Sequence, residues 1–432
     1  MKKKISISTT ITLILLTMAL TISLTMMLAM RHFNNQLQLV GERQAMYTHI
    51  NDVDKKVREY YPDLDEDALR QGITHGYIYG LSDPYAVYYT PTRYAAEKVR
   101  IAGKANNVGV SLALDSSARI VVSRVQKDSA AGKAGVLVGD LVTAVDGIAI
   151  EGKSLSELQT LVNTAEKVLI TVQRGEQFHA YELTAFEYTV RTVQDAMLDT
   201  IGYVKITAFY ENTPDQFRST VSSLLNQGVA GIVFDLRNNS GGSSAAVQEM
   251  LNYIMPLGSY GTMTDVNGVV TKLTAVNSNQ IGVSTVTLVN SGTAGEAEFF
   301  AGVLQDASLT TVVGQTTAGK AKYQELFTLD ADSSAIKLTV GEYGLLKSGS
   351  WQGVGIQPSV IAELPAEQIA IYQLLSPAED AQVQTALEQL IPPELPTTAT
   401  TTTTATTTTT EADISDVSDV SDTSDVSDTS AD

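Results

Sequence analysis

One uncharged, largely apolar segment near the amino end constrains this chain more than any other feature. It runs from Ile5 to Met30 and follows three lysines, Lys2 to Lys4. A membrane-spanning helix needs about 20 apolar residues, and basic flanks favour the cytoplasmic side. The alternative is a cleaved signal peptide, whose apolar region is usually only about 7–15 residues. The sequence therefore predicts an uncleaved single-pass anchor over residues 1–33 in the cell membrane, with the bulk of the chain extracytoplasmic.

The carboxyl end has low complexity and cannot form a core. A threonine run extends from Thr397 to Thr410, and Ser-Asp repeats follow from Ser415 to Ser430. Such compositions bury too little apolar surface to fold, so residues 392–432 are predicted to be a disordered tail. A solvated spacer is the favoured interpretation, and a glycosylated stalk remains open. The net charge of −19, with no basic patch, argues against nucleic acid as a partner.

The residue types present exclude several kinds of chemistry. The chain has no cysteine, which excludes disulfides, a thiolate nucleophile and cysteine metal sites. No His-Glu-x-x-His pair and no Gly-x-Ser-x-Gly elbow occurs in the sequence. We therefore expect neither a metal site nor a cofactor.

The middle of the chain divides by pattern into three regions. Residues 34–102 look helical, with Leu69, Ile73, Tyr77 and Leu81 spaced by four behind an acidic cluster. Residues 103–186 contain short β-branched runs separated by turns, which is typical of a small β-rich domain. Beyond residue 187 apolar strands alternate with helical patterns. The predicted fold class is therefore a multidomain mixed α/β (or α+β) protein.

The last globular element is predicted from a capping pattern. Ser376-Pro377-Ala378-Glu379 has the form of a capping box with proline at the first helical position. It is expected to open a helix that carries Val383, Leu387 and Leu390. The globular part is expected to end at residue 391.

An ordered series of motifs runs through the middle of the chain. Its members are Ser82 to Tyr85, Ser129 to Val136, Val138 to Asp140, Gly202 to Ile206, Asp235 to Gly242, Val289 to Gly302, Gly314 to Gln324 and Gly353 to Pro358. This series resembles the carboxyl-terminal processing peptidases, also called tail-specific proteases, which are exported serine peptidases that use a lysine as general base. The resemblance implies a PDZ-like domain over residues 103–186 and a peptidase core of the ClpP/crotonase-like kind over residues 187–391.

By its motifs, the resemblance assigns roles to four residues of the core. Lys320 matches the lysine base, and Gln324 matches the glutamine that holds it. A desolvated lysine loses pKa until it can accept a hydroxyl proton near neutral pH, and residues four apart in a strand share one face. Gly241 and Gly242 match a turn whose N–H groups bind an oxyanion. Either glycine can fill that role, and the alternative is a plain tight turn.

The PDZ-like region carries a second candidate site. Val108, Gly109 and Val110 lie in a segment that resembles a carboxylate-binding loop. In such a site a peptide carboxyl terminus meets backbone N–H groups, and the peptide adds as a β-strand. An ordinary glycine turn into a strand is the alternative.

The core departs from the family pattern at its most important position. Gly292-Thr293-Ala294 matches, but the next residue is Gly295 where the family has its nucleophilic serine. The flanking matches on both sides fix this register. Glu296 is a second departure, since a small residue is usual there. We expect its carboxylate to approach Lys320 and raise the lysine pKa.

Two functions follow from these residues. The first is a membrane-tethered pseudopeptidase that captures polypeptide C-terminal tails or unstructured protein segments without cleaving them. The alternative is an active serine-type endopeptidase in which Lys320 activates a water or another hydroxyl, such as that of Ser291 or Thr293. The sequence does not predict an oligomeric state.

Overall fold

A computed structural model of the chain describes residues 7–276 and 281–390. The predicted disordered tail and the amino-terminal lysines lie outside the described residues. Helix α1 (Ile7–Tyr60) is 54 residues long, and its segment Thr10–Asn34 is apolar enough to cross a membrane, with a mean hydropathy of 2.2. The helix runs without a break through the predicted domain boundary at residue 34.

A short helical region follows α1. Its elements are α2 (Glu66–Tyr79), β1 (Val87–Tyr89) and α3 (Pro91–Ile101). The Asp65 carboxylate accepts hydrogen bonds from the N–H groups of Asp67 and Ala68, which fixes the start of α2. The predicted stripe is largely exposed, with Ile73 and Tyr77 more than half accessible to solvent. This region therefore contains a strand as well as helices.

The β-rich region forms a small sheet with its own core. The strand order is β3-β4-β5-β7-β8, with β6 on β5, so β3 is an edge strand; β2 pairs with β9. Helix α5 packs against β3 and fills the core with Leu158 and Val162. The elements are β2 (Lys104–Asn107), β3 (Val110–Leu114), β4 (Ile120–Val125), α4 (Ala130–Ala134), β5 (Leu141–Val145), β6 (Ile148–Ala149), α5 (Leu155–Thr164), β7 (Lys167–Arg174), β8 (Gln177–Thr184) and β9 (Phe186–Thr189).

The carboxyl-terminal region is a mixed α/β core, as predicted. Its main sheet has the order β10-β11-β12-β15-β16-β19, and a second sheet has the order β1-β18-β13-β14 with β17 on β18. The elements are β10 (Val193–Leu198), β11 (Ile201–Ile206), α6 (Thr213–Asn226), β12 (Gly231–Asp235), α7 (Ser244–Ile254), β13 (Gly258–Asp265), β14 (Val270–Ala275), β15 (Ser284–Val289), α8 (Glu296–Asp306), β16 (Thr310–Gly314), β17 (Lys322–Leu329), β18 (Ser334–Leu345), β19 (Val360–Ile361), α9 (Ala366–Ala370) and α10 (Ala381–Glu388).

Parallel pairing in the main sheet brings the site motifs together. Strands β11, β12, β15 and β16 run parallel, and every residue of β12 is buried, as expected for a strand covered on both faces. In such sheets ligands bind outside the carboxyl ends of the strands. The turns after β12 and β15 carry Gly241, Gly242 and Gly295, so these glycines lie at one edge.

The last helix begins later than the capping pattern predicts. Residues 376–379 form a turn in which the Ser376 hydroxyl donates to the Glu379 carboxylate at 2.6 Å. Helix α10 starts at Ala381 because the Asp380 carboxylate accepts the N–H groups of the following residues. The predicted helix start is therefore wrong by several residues, and Leu390 lies beyond its end.

Candidate active site

Gly295 occupies a backbone conformation that L-residues rarely adopt. It immediately precedes α8, with φ 62° and ψ −122°. Nucleophiles in hydrolases often sit on such a strained strand-to-helix turn, where a non-glycine residue costs about 1–3 kcal/mol. A Cβ at this position would lie 3.7 Å from the Ser240 carbonyl oxygen and 3.8 Å from Lys320 Cδ. The turn therefore has room for a serine side chain beside the lysine.

Lys320 and Gln324 lie in contact. Lys320 Nζ donates to Gln324 Oε1 at 2.9 Å and lies 4.8 Å from the centre of the Tyr85 ring. Regular strand alternation does not produce this contact, because Lys320 precedes β17 and a register shift falls between Tyr323 and Gln324. Burial lowers the pKa of Lys320, and the charge of Glu296 opposes this effect without reversing it. The charge of Glu296 therefore acts on the Lys320 pKa in the expected direction, while burial keeps that pKa below its ordinary value.

Glu296 directs its carboxylate into the turn that follows β12. Its Oε2 accepts the Gly242 N–H at 2.9 Å, and the carboxylate also interacts with its own backbone N–H. The Tyr343 hydroxyl lies 3.3 Å from Oε1. The side chain is buried, and burial raises its pKa. A carboxyl side chain of the protein thus lies against the backbone N–H of Gly242.

The two candidate oxyanion glycines differ in where their N–H groups point. The Gly241 N–H donates to Asn239 Oδ1 at 2.9 Å within its own turn. The Gly242 N–H donates to Glu296 instead. Of the two, Gly242 is therefore the one whose donor faces Glu296 and the Lys320 side of the turn. A substrate oxygen can reach this donor only if the Glu296 carboxylate moves away.

Glu298 joins the glycine turn to the lysine loop, a role that the sequence did not suggest. Its fully buried carboxylate accepts the N–H groups of Gly295 at 2.9 Å, Gly319 at 2.7 Å and Lys320 at 2.8 Å. The Thr317 hydroxyl also donates to it. The available signal was a glutamate three residues after the helix N-cap, the acidic half of a capping box. Glu298 therefore acts as a positioning residue for both loops.

Glu296, Lys320 and Gln324 line one cavity of about 360 Å³ together with Gly241 and Gly242. The alternative hydroxyls do not belong to it: Ser291 is exposed, and the buried Thr293 hydroxyl donates to the Leu236 carbonyl at 2.9 Å. Ser244 does line the cavity, and its oxygen accepts the Tyr343 hydroxyl at 2.7 Å. The lining residues near the glycine turn are Ser240, Gly241, Gly242, Ser243, Ser244, Glu296, Lys320 and Gln324.

A buried ion cluster fixes the start of the glycine turn. Arg237 Nη2 contacts Asp235 Oδ2 at 2.6 Å, and Arg237 Nη1 contacts Asp380 Oδ2 at 2.8 Å. The Tyr203 hydroxyl also donates to Asp235. Burial alone would raise the pKa of Asp235, but the charge and hydrogen bonds of Arg237 outweigh it and hold that pKa well below its usual range. The cluster ties the end of β12 to α10.

The predicted peptide-binding loop precedes the edge strand β3. Val108 and Val110 are buried, and Gly109 has φ 83° with the Ser129 side chain where a Cβ would stand. The outer edge of β3 is occupied by Gln159 of α5. The Gln159 amide accepts the Leu112 N–H at 2.7 Å and donates to the Val110 carbonyl at 3.1 Å. No sequence signal pointed to this contact.

Both the α/β core and the β-rich domain match known protein families. The Peptidase family S41 description matches residues 200–362, and a PDZ domain description matches residues 121–174. The chain is 31% identical over 313 residues to the carboxy-terminal processing protease CtpA of Bacillus subtilis strain 168, covering 71% of this chain and 66% of that protein. It is 29% identical over 331 residues to the chloroplastic C-terminal processing peptidase of Tetradesmus obliquus, covering 71% of each chain.

A solved structure shares the fold. The putative S41 protease from Bacteroides fragilis NCTC 9343 superposes with a TM-score of 0.56 at 14% identity, over 72% of this chain and 87% of that one. The chain itself spans between 66% and 71% of the lengths of the two sequence relatives. The mixed α/β fold class is thereby confirmed.

Proposed function

Because the chain belongs to the C-terminal processing peptidases of family S41, we propose that it is a membrane-tethered member that binds protein C-terminal tails without cleaving them. One observation carries the proposal: Gly295 stands at the nucleophile position while the Glu296 carboxylate occupies the Gly242 N–H. A peptidase reaction here needs both an attacking oxygen and a free oxyanion donor. Gly295 supplies no attacking oxygen, and the Gly242 N–H donor is already bonded to Glu296.

The remaining parts of the site support binding. Loss of the nucleophile from a serine hydrolase reduces turnover on the order of a millionfold, while substrate binding survives. Lys320 retains its glutamine partner, and its ammonium lies in a cavity large enough for part of an extended peptide. We assign Lys320 and Gln324 to holding a substrate carbonyl or carboxylate. We assign Gly242, rather than Gly241, as the donor that faces the substrate.

The proposed tail-binding groove lies between β3 and α5. A peptide that adds to a sheet edge pairs with backbone groups of the edge strand, and its carboxylate meets N–H groups of the preceding loop. Val108, Gly109 and Val110 form that loop, and β3 is the edge strand, whose outer groups Gln159 occupies in the free protein. Bound tails reach this groove from outside the membrane if Thr10–Asn34 anchors the chain. We place the groove and the core on the extracytoplasmic side.

Binding without cleavage is tested on the full chain in detergent micelles. A fluorescent peptide with a free terminal carboxylate is expected to bind, and its amidated form to bind about tenfold or more weakly, since bonds to a charged group contribute about 1.5–3 kcal/mol. Fluorescence anisotropy measures both affinities, and mass spectrometry follows the peptide over time. Equal affinities for the two peptides would contradict the tail-binding role.

The same mass spectra decide the alternative function. The lowered pKa of Lys320 is what a working lysine base requires, and this observation favours an active endopeptidase. In that case the native protein cleaves the peptide, and Lys320→Ala abolishes cleavage. An intact peptide in both proteins supports the non-cleaving role.

Gln159 is expected to compete with bound tails. Its amide satisfies the two β3 groups that an added strand needs, at 2.7 and 3.1 Å. Each such hydrogen bond contributes about 0.5–1.5 kcal/mol net, so Gln159→Ala should tighten tail binding roughly tenfold. Thr160→Ala, on the exposed side of the same helix, is the matched control and should leave the affinity unchanged. Weaker binding by Gln159→Ala would mean that this amide contacts the tail instead.

A further inference from the structure

A second cavity lies between the β-rich domain and the α/β core, away from the Gly295 turn. Its volume is about 600 Å³, and both domains line it. We call it the interdomain cavity and define it by Arg124 of β4, Lys205 of β11, the adjacent Ser123, and Tyr372 after α9. No role described above uses these side chains.

Among the described residues, the interdomain cavity contains two half-buried cations without an ion-pair partner, besides the exposed Lys127. Arg124 and Lys205 are both half-buried, and neither forms an ion pair within 4 Å or a hydrogen bond among the described residues. Lys205 Nζ lies 5.2 Å from the centre of the Tyr372 ring. Burial lowers the pKa of both cations. Unpaired buried charge is costly, so proteins usually pair it or bind a counter-ion.

Two neutral donors in the same cavity also lack partners. The Ser123 hydroxyl belongs to a residue that is only 8% exposed, and the Tyr372 hydroxyl is likewise buried. Neither oxygen has a hydrogen-bond partner within the described part of the chain. Buried hydroxyls in folded proteins are normally satisfied, so two adjacent exceptions indicate a ligand that supplies oxygen acceptors.

Nearby acidic groups offset these cations only in part, although the charges of Asp235 and Asp380 counteract the lowering of the Lys205 pKa by burial. Asp235 and Asp380 are engaged by Arg237, and Asp195 pairs with Arg191 at 2.6 Å. Positive charge is therefore concentrated in one cavity of a chain whose net charge is −19.

We propose that the interdomain cavity binds an oxyanion, a phosphate or carboxylate group, through Arg124, Lys205 and the hydroxyls of Ser123 and Tyr372. The planar guanidinium suits two oxygens of such a group, the ammonium supplies a point charge, and the hydroxyls donate to the remaining oxygen lone pairs. Because Arg124 and Lys205 belong to different domains, the bound anion holds the β-rich domain against the core. This site is independent of tail binding and of the Gly295 turn.

The test uses the full chain in detergent micelles, in chloride, phosphate or acetate buffers of equal ionic strength and pH. Inorganic phosphate is expected to raise the thermal unfolding midpoint and to give a saturable heat signal in titration calorimetry. Acetate is the carboxylate probe, and the stronger of the two responses identifies the preferred group. No saturable response to either anion overturns the proposal.

Variants separate a specific site from general salt effects. Arg124→Gln and Lys205→Gln are each expected to weaken anion affinity at least tenfold and to remove the midpoint shift. Neither should unfold the protein, because each removes an unpaired charge; in chloride alone the midpoint should rise or stay unchanged. Arg119→Gln, an exposed arginine paired with Asp115 on the same domain, is the control and should keep the native response. A shift that persists in both cavity variants overturns the proposed site.

Discussion

Gly295→Ser alone is expected to leave the protein nearly inactive, whereas Gly295→Ser combined with Glu296→Ala is expected to create a protease. The serine supplies the missing oxygen beside Lys320, since a Cβ at residue 295 would lie 3.8 Å from Lys320 Cδ. In the single variant the Glu296 carboxylate still occupies the Gly242 N–H, 2.9 Å away. When ionised, this carboxylate also repels an oxyanion that forms at the same donor. Both obstacles must be removed together.

The size of the effect follows from the donor that is blocked. Loss of one oxyanion donor typically reduces turnover about 10²–10³-fold. The double variant should therefore cleave at least about a hundredfold faster than Gly295→Ser, before counting relief of the charge repulsion. The turn already holds φ 62° at residue 295, so serine has to accept a strained backbone. Glu298 keeps that turn and the lysine loop in place in all variants.

The protease activity of each variant is measured as the release of labelled fragments from casein. Glu296→Ala alone is the matched control and should stay inactive, because it opens the donor without adding an oxygen. Adding Lys320→Ala to the double variant should return activity to background. Equal activities of Gly295→Ser and the double variant would show that Glu296 does not block the site.

The sequence motif around Gly295 shows that the serine is missing, but it does not show that Glu296 blocks the Gly242 N–H. Motif matches on both sides of Gly295 fix the alignment, so the absence of the nucleophilic oxygen could be predicted from the sequence alone. The direction of the Glu296 side chain depends on how the turns after β12 and β15 pack against each other, which no local pattern encodes. The sequence therefore predicted proximity to Lys320 and missed the contact with Gly242.

Other misses have the same origin. Glu298 lies within the flanking motif, and its spacing from Gly295 fits a capping box, but only the structure shows that its carboxylate also reaches a distant loop. Gln159 lies on a helix forty-seven residues beyond Leu112, and only tertiary packing brings them together. Apolar strands beyond residue 187 were predictable because a strand buried on both faces, such as Gly231–Asp235, has a clear composition. The last helix was misplaced because the Asp380 cap competes with the preceding turn.

Arg237→Met is expected to be the most destabilising single change near the site. It leaves the carboxylates of Asp235 and Asp380 buried without the guanidinium that lies 2.6 and 2.8 Å from them. Breaking a buried ion pair by removing one partner costs about 3–5 kcal/mol. Arg218→Met removes an exposed arginine with two acidic partners, and such surface pairs contribute only about 0–1 kcal/mol. Both variants remove one arginine that has two acidic partners. The difference between their losses of stability therefore reports the effect of burial.

Urea unfolding followed by fluorescence of the single tryptophan, Trp351, measures this loss, because that side chain is buried in the core. The pH dependence gives a second check. In the native protein Asp235 has a depressed pKa, so its contribution is present above the unfolded pKa of about 3.9 and is lost as pH falls below it. In Arg237→Met the buried Asp235 carboxylate binds a proton more readily, so acid relieves its repulsion with Asp380. The difference in free energy of unfolding between the native protein and Arg237→Met should therefore become smaller as the pH falls. A loss of unfolding free energy that does not change with pH would contradict a structural role for this cluster. A loss no larger than that caused by Arg218→Met would also contradict it.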